Sequence, residues 1–322
     1  MTQSYRLVDY SLRSGKFAER KMLSELMSRL RPFAPVQEYV YVGFGSIWFA
    51  DCVLFHKALG IREMISIERV LAHAERFEFN RPFANIDLRF GTAAEELVNL
   101  DWSRRQIVWL DYDDPLSLGI LGDLRTVANR AGSGTMLAVT VQAERLFRGT
   151  SDDDDLEPIE TPGAFRDEFG DSRTPADLAY EDLTGWGLAK TTRMAVREEI
   201  EHGLSRRRQG MRDGGGLAFR QVAAFEYKDG ARMTTIVGVF VNADEEASFD
   251  ACGFEKLGYY RATMDSVVRI SIPKLTPREM RHLERLLPGE PTKEELGAIP
   301  PSDARHYGGF YRYLPNYASF EP

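Results

Sequence analysis

The strongest constraint on the fold of this chain is a regular alternation of short apolar segments with amphipathic ones. The apolar segments are rich in β-branched and aromatic residues and cover 36–44, 64–68, 86–90, 106–113 and 135–142. The amphipathic segments between them cover 46–60, 71–83, 92–100 and 121–132. Strands that alternate with helices of about ten residues indicate parallel βαβ units with helices on both faces of the sheet. We therefore predict an α/β fold with a Rossmann-like, doubly wound and mostly parallel sheet, preceded by a helix over 10–31.

The pattern changes after the fifth predicted strand. Residues 149–216 begin with a run of aspartates at 152–155, which we expect in a solvated loop, and continue as a helical insertion that caps the substrate. Residues 217–242 then alternate around a Lys-Asp-Gly turn, which is typical of an antiparallel hairpin. We predict a first domain over 1–245 and a C-terminal cap or extension over 246–322.

The charge and the cysteines limit the partners and the compartment. The chain has 322 residues and a formal net charge of −8. Proteins that grip a phosphate backbone are usually basic, so nucleic acid is disfavoured as a partner and would need a local patch such as 205–212. Cys52 and Cys252 have neither disulfide-framework nor zinc-site spacing. With no apolar core of a signal peptide and no apolar run of roughly 18 to 20 residues, we expect a cytoplasmic protein with no membrane partner. The oligomeric state is left open.

A Gly-x-Gly turn follows the first predicted strand, in the segment VGFGS. Such a turn lets a ligand approach the backbone at the carboxyl edge of a sheet, so Gly43, Gly45 and Ser46 are candidate cofactor-binding residues. Glu68 ends the next strand, where an acid can accept hydrogen bonds from the two hydroxyls of a ribose. Dinucleotide-binding and methyl-donor-binding folds share this pattern. The dinucleotide fingerprint needs a third glycine where this chain has Trp48, so a cofactor without a pyrophosphate is favoured.

A cluster of carboxylates ends the fourth predicted strand, in the segment LDYDDPL. Grouped acids are costly unless they bind or react, so Asp111, Asp113 and Asp114 are candidate catalytic residues. A positioned carboxylate can deprotonate a hydroxyl or help to hold a divalent metal. The metal is the weaker alternative, because no second acidic cluster is evident, and we assign no metal ligands. A structural alternative makes Asp114 a turn or cap residue before Pro115 and leaves Asp113 solvated.

Two cations of the predicted first helix lie four residues apart and therefore share one face. They are Lys16 and Arg20, and we consider them as substrate-binding residues on an N-terminal lid. They would reach toward an anionic substrate or the carboxylate of the cofactor. The alternative is a solvated basic face of the helix.

These motifs together resemble those of the class I S-adenosylmethionine-dependent methyltransferases, and most closely their O-methyltransferase members. The resemblance covers roughly 35–148 and 217–242. It implies that the chain binds S-adenosylmethionine and methylates an unidentified acceptor, most naturally at a hydroxyl. The residues that it assigns to the cofactor are Gly43, Gly45, Ser46, Glu68, Thr92 and Asp111.

The chain also departs from the family pattern. Tyr41 stands where the family often has an acid, Ile47 replaces a third glycine, and Thr92 follows the third strand where an acid commonly meets the adenine. The segment DDPL differs from the motif of the amino-methylating members. A non-catalytic module of the same fold, which binds a nucleotide or a protein partner, is therefore the alternative function.

Overall fold

An eight-stranded sheet organises the chain. The computed structural model describes residues 13–149, 157–210 and 216–315. In chain order the strands are β1 (Val40–Phe44), β2 (Glu63–Glu68), β3 (Ile86–Phe90), β4 (Gln106–Pro115), β5 (Met136–Gln142), β6 (Ala218–Asp229), β7 (Ala231–Val241) and β8 (Val268–Arg269).

The strand order in the sheet is β3-β2-β1-β4-β5-β7-β6-β8. Strands β1 to β5 are parallel, and β7 runs antiparallel to both of its neighbours, β5 and β6. The direction of the order reverses between β1 and β4, and such a switch point opens a crevice at the carboxyl edge. This topology confirms the predicted Rossmann-like, doubly wound sheet with a C-terminal antiparallel hairpin.

The five helices predicted up to residue 132 are all present: four are shorter than predicted, and the last begins at Leu118 instead of residue 121. The described ranges contain eleven α-helices. They are α1 (Ser14–Ser28), α2 (Ala50–Leu59), α3 (Ala74–Asn80), α4 (Ala93–Val98), α5 (Leu118–Arg130), α6 (Pro162–Phe169), α7 (Gly185–Gly210), α8 (Glu246–Ala251), α9 (Pro277–Glu284), α10 (Lys293–Leu296) and α11 (Pro301–Phe310). The second helix was predicted from residue 46 but begins at Ala50. The reason is Phe49, which has a left-handed backbone with φ of 46° and holds the glycine turn apart from the helix.

Each face of the sheet packs against its own helices. Side chains of a strand alternate between faces, and in β4 Ile107 and Trp109 join one buried cluster while Val108 and Leu110 join the other. The first cluster includes residues of α1, α2 and the C-terminal region. The second includes residues of α5, α6 and α7. Helices therefore pack on both faces of the sheet, and this packing holds the carboxyl ends of β1, β2 and β4 in place.

The stretch 149–216 packs against the sheet, and the substrate cap expected there stays a prediction. Its main helix, α7, buries Leu188, Val196 and Ile200 in the cluster that also contains residues of α5. Gly203 of α7 lies so close to Ala128 of α5 that an added Cβ would meet the alanine methyl at 2.8 Å. This helix thus belongs to the layer that covers the sheet, because it carries the connection from β5 to β6.

The C-terminal region joins the sheet and the first helix. Strand β8 pairs in parallel with β6. The hydroxyls of Tyr259 and Tyr313 both donate to the carboxylate of Glu25 in α1, at 2.9 and 2.6 Å. The division into 1–245 and 246–322 stays a prediction.

Two further predictions concern the surface. The aspartates at 152–155 lie outside the described residues, as does part of the basic run 205–212. Within the described ranges, no helix is both long enough and apolar enough to cross a membrane.

Candidate active site at the carboxyl edge of the sheet

The predicted cofactor residues meet at the carboxyl edge because they follow neighbouring parallel strands. Two backbone hydrogen bonds fix the loops there. The amide of Gly45 donates to the carbonyl of Ile67 at 3.2 Å, and the amide of Gly91 donates to the carbonyl of Glu68 at 3.0 Å. The turn after β1 is therefore fixed against the end of β2, and the end of β2 against the turn after β3.

Gly45 lies directly against the side chain of Glu68. A Cβ on Gly45 would overlap the carboxylate of Glu68 and the hydroxyl of Ser66. Glu68 is only 6% exposed, and its one side-chain donor among the described residues is the hydroxyl of Ser66, at 3.3 Å. Burial raises the pKa of Glu68 to about 8, although the Ser66 hydrogen bond acts in the opposite direction. The site thus holds a buried carboxyl group with unused acceptor capacity.

Gly43 serves a different purpose from the one predicted. An added Cβ would collide with the phenol of Tyr41, because residues two apart in a strand share a face. The space beside Gly43 is therefore filled by the Tyr41 ring and is not open to a ligand. The Tyr41 hydroxyl is itself buried without a hydrogen-bond partner among the described residues. Burial, followed by the nearby charge of Asp51, raises the pKa of Tyr41.

Two other predicted cofactor residues are engaged in local structure. The hydroxyl of Ser46 accepts a hydrogen bond from the amide of Trp48 at 3.3 Å. Thr92 is the N-cap of α4, where it forms a capping box with Glu95. Both residues lie at the predicted edge, but the Thr92 hydroxyl already donates to Glu95 at 2.9 Å. Their contact with a cofactor stays a prediction.

Asp111 is held by a cation from the first helix. The ammonium of Lys16 lies 2.5 Å from Oδ1 of Asp111 and 2.9 Å from Oε2 of Glu19. It also stands 4.3 Å from the centroid of the Trp109 ring, as in a cation–π contact. Burial opposes its charge, but Asp111 and Glu19 more than offset that effect, so the pKa of Lys16 is raised. The lysine stays charged and fixes the Asp111 carboxylate.

Asp113 and Asp114 face outward from the same strand end. Both residues are exposed, and the Asp113 carboxylate lies 3.9 Å from a guanidinium nitrogen of Arg13. The pairing of β4 with β5 is irregular between Asp111 and Pro115, which turns this segment away from the regular ladder. The acidic cluster therefore divides into one partly buried, ion-paired carboxylate and two exposed ones.

The structure corrects the role predicted for Lys16 and Arg20. The two side chains share a helix face as expected, but they are 4% and 5% exposed and point into the protein. Arg20 pairs with Asp51 at the start of α2. Both cations are thus occupied by carboxylates of this chain and are not open to an anionic substrate.

A buried hydrogen-bond network extends from Glu19, which also contacts Lys16, to the central strands. The hydroxyl of Thr235 donates to Glu19, and it shares a hydrogen bond of 2.9 Å with the hydroxyl of Thr140. The indole of Trp109 donates to the same Thr140 oxygen at 3.0 Å. Burial, opposed next by the charge of Lys16, raises the pKa of Glu19. This network links α1 to the three central strands β4, β5 and β7.

The residues that position α1 were missed in the sequence. Asp229 accepts hydrogen bonds from the amides of Gly15 and Lys16, at 3.2 and 2.8 Å, and so caps the N-terminus of α1 from the β6–β7 turn. In the sequence Asp229 was noticed only as part of a hairpin signal. Asp51 was missed as well, although a single acid in the apolar run WFADCVLF was a usable sign of a buried partner.

This arrangement can hold a ligand and move a proton. Glu68 and the Gly45 turn offer a buried acceptor and close backbone approach, while Asp111 and Asp113 offer carboxylates at the adjacent strand end. Across the described part of the chain, no group of three or more His, Cys, Asp or Glu side chains is placed to hold a metal ion.

Comparisons with solved structures give matches of low sequence identity and low TM-score. An O-methyltransferase from Klebsiella pneumoniae, described as putative, is 14% identical, with a TM-score of 0.36 over 73% of this chain and 81% of that one. TomG, an O-methyltransferase from Streptomyces achromogenes in complex with SAM, is 15% identical, with a TM-score of 0.36 over 73% and 91%. Spermidine synthase from Thermotoga maritima is 10% identical, with a TM-score of 0.37 over 69% and 59%. The strand order, and not these superpositions, carries the fold assignment.

Sequence comparisons are more decisive. No curated protein sequence matches this chain. A family model described as "Putative O-methyltransferase" matches residues 8–322. Because the match extends over nearly the whole chain, this protein belongs to that O-methyltransferase family.

Proposed function

We propose that the protein transfers a methyl group from S-adenosylmethionine to a hydroxyl oxygen of a small acceptor. The observation that carries the proposal is the carboxyl group of Glu68 beneath the Gly45 turn. It is buried, and Ser66 provides a single long hydrogen bond. A carboxyl group in that state is costly unless further donors reach it. The two hydroxyls of a ribose are donors of the required kind.

The remaining cofactor residues follow from this anchor. S-adenosylmethionine supplies, when bound, an electrophilic methyl group on a sulfonium sulfur. Glu68 would hold its ribose, and the Gly45 turn would give the backbone approach that a side chain would block. Asp111 lies at the neighbouring strand end, where its carboxylate suits the ammonium of an amino acid. Lys16 holds that carboxylate in one orientation.

The acceptor proton is assigned to Asp113. Oδ1 of Asp111 is already engaged by the ammonium of Lys16, at 2.5 Å. The Asp113 side chain is 50% exposed, and one of its oxygens lies 3.9 Å from a guanidinium nitrogen of Arg13. It can therefore approach an acceptor hydroxyl and take its proton. Asp114 is exposed beside it and precedes Pro115, which suits a turn residue.

The proposal extends to partner and compartment. A net charge of −8 favours a small acceptor over a nucleic acid, whose phosphates would be repelled. Both cysteines are buried free thiols, which suits a reducing compartment such as the cytoplasm.

Calorimetric titration with S-adenosylhomocysteine tests the proposal. We expect binding to the parent protein, and a loss of roughly 1.5 to 3 kcal/mol in Glu68→Ala, the usual worth of hydrogen bonds to a charged group. Glu63→Ala is the matched control, because Glu63 is an exposed acid at the other end of β2. An equal affinity in Glu68→Ala would place the ribose elsewhere, and absence of binding to the parent protein would overturn the function.

A further inference from the structure

A cavity of about 600 Å³ opens at the carboxyl edge, at the far end of the sheet from Glu68. Lys228 and Asp229 at the end of β6 form part of its wall. Residues 270–275, which follow β8, form another part, and β8 runs parallel to β6. The volume falls within the roughly 300 to 1,000 Å³ that is usual for small-molecule sites.

The wall combines an apolar surface with an aromatic ring. Ile272, Leu275 and Met280 provide apolar side chains, and Trp186 at the start of α7 adds an indole. This composition suits a flat, partly apolar ligand.

The charged groups of the wall are mostly cations. Lys228, Arg269 and Lys274 line the cavity, together with one carboxylate, Asp229. The oxygens of Asp229 already accept from the N-terminal amides of α1. Neither lysine has an ion-pair partner in the ranges that the structure describes, and both are exposed. The wall therefore has two ammonium groups available to an anion.

Arg269 adds to the positive surplus. Its guanidinium binds Glu226 at 2.8 Å, but the same buried carboxylate also holds Arg193 at 2.6 Å. One carboxylate thus serves two guanidinium groups. The guanidinium of Arg269 also lies 4.4 Å from the centroid of the Trp186 ring, which places cation and indole side by side.

We infer that this cavity binds the methyl acceptor, and that the acceptor is a small planar ring carrying an anionic group, either carboxylate or phosphate. The inference rests on the proposed function, because the acceptor must reach the carboxylates at the end of β4. Gly15 lines the cavity, and its neighbour Lys16 pairs with Asp111. The cavity and Asp111 therefore flank the first turn of α1.

The test measures ring binding to the full chain without any methyl donor. The probes are para-hydroxybenzoate, para-hydroxyphenyl phosphate and the neutral para-hydroxybenzamide, titrated by NMR. We expect at least one anionic probe to bind roughly ten-fold or more tightly than the amide, as a charge-assisted hydrogen bond would provide. The tighter of the two anions identifies the carboxylate or the phosphate as the source.

Variants then locate the site. Lys228→Gln and Lys274→Gln should each weaken the anionic probe about ten-fold and leave the amide unchanged. Trp186→Leu should weaken all three probes, since it removes the ring. Lys57→Gln is the control, because Lys57 is exposed near the end of α2, at the opposite edge of the sheet. The inference is overturned if no probe binds, if the amide binds as tightly as both anions, or if Lys57→Gln has the same effect as the cavity variants.

A parallel titration with S-adenosylhomocysteine separates this inference from the proposed function. Binding of S-adenosylhomocysteine without binding of any probe rejects the acceptor cavity and leaves the methyl donor site standing. Lysine-dependent binding of an anionic probe without binding of S-adenosylhomocysteine supports the cavity as an anion site and rejects its link to methyl transfer.

Discussion

The ammonium of Lys16 lies 2.5 Å from the carboxylate of Asp111, and this ion pair joins the first helix to the end of the fourth strand. Lys16 is 4% exposed and Asp111 is partly buried, so salt screens their attraction less than that of a surface pair. An ion pair of this kind is best understood as a positioning device, because the cost of desolvating both charges offsets most of their attraction. Its consequence is that the candidate active site depends on the docking of α1.

Removing the cation of this pair should destabilise the protein strongly. Lys16→Met leaves Asp111 and Glu19 without their partner, and loss of one member of a buried pair typically costs about 3 to 5 kcal/mol. Lys21→Met, on the same helix but outside the pair, should cost far less. The measurement is the free energy of unfolding in urea. The double variant Lys16→Met/Asp111→Leu should recover part of the loss, and the pair has no such role if Lys16→Met costs no more than Lys21→Met.

Occupation of the Glu68 site should release a proton. The pKa of Glu68 is raised to about 8 from 4.5 by burial, whereas hydrogen bonds from ribose hydroxyls favour the ionised form. Affinity for S-adenosylhomocysteine should therefore rise as the pH increases from about 6 to 8. Calorimetry in buffers of different ionisation enthalpy measures the released proton. Glu68→Gln should abolish the release, and release that persists in this variant would assign the proton to another group.

The raised pKa of Glu68 also makes folding stability depend on pH. Ligand affinity should rise with pH, whereas the contribution of Glu68 to stability should fall. The folded protein retains the Glu68 proton to a higher pH than the unfolded chain does, so the unfolded state binds fewer protons between about 4.5 and 8. The contribution of Glu68 is therefore fully present below the lower value and is lost as the pH rises through this window. The free energy of unfolding in urea should be measured for the parent and for Glu68→Gln. The difference between the two values should change between about pH 4.5 and 8. A constant difference would contradict the raised pKa.

Gly45→Ala should weaken the cofactor by displacing Glu68. The added methyl group would overlap the Glu68 carboxylate and the Ser66 hydroxyl, so the carboxyl group must leave its place. We expect a loss of S-adenosylhomocysteine affinity comparable to that of Glu68→Ala, together with some loss of stability. Gly122→Ala is the control, because a Cβ there meets no atom within 4 Å. Parent-like affinity in Gly45→Ala would show that the turn and Glu68 act independently.

Asp113→Asn separates the chemistry from binding. The amide retains the shape of the side chain but cannot take a proton, so turnover should fall by about 10² to 10⁴-fold while S-adenosylhomocysteine affinity is unchanged. Asp114→Asn, one residue away and also exposed, should retain most activity. The assay follows a labelled methyl group into an acceptor from cell extract. Full turnover in Asp113→Asn would exclude it as the base.

The sheet could be predicted from the sequence because its strands are marked by local patterns. The segment at β3 was predicted with the observed bounds, 86–90, and the hairpin was predicted within a residue or two. Such segments are continuous in sequence, and the short connections between them leave few arrangements. The carboxyl-edge position of Glu68 and Asp111 followed from this topology.

The side-chain partners could not be predicted, because they depend on contacts between distant segments. Lys16 and Asp111 are 95 residues apart, and nothing in the sequence around Lys16 distinguishes a buried lysine from a solvated one. The same limit applies to Gly43, whose neighbour Tyr41 fills the space that was expected to be open to a ligand. Asp229 is a further example. The sequence around it predicts only a hairpin turn, whereas its carboxylate also accepts hydrogen bonds from the first amides of α1.

The two ends of the sheet differ in how they are protected from pairing with another chain. Strand β3 is short and carries the charges of Asp87 and Arg89, which discourage edge-to-edge association. Strand β6 is long and largely buried, and the short β8 covers part of its outer edge. A chain cut at residue 245 would expose that edge as a template for aggregation. The region after residue 245 therefore protects β6 from pairing with another chain. Expression of residues 1–245 alone should yield insoluble protein.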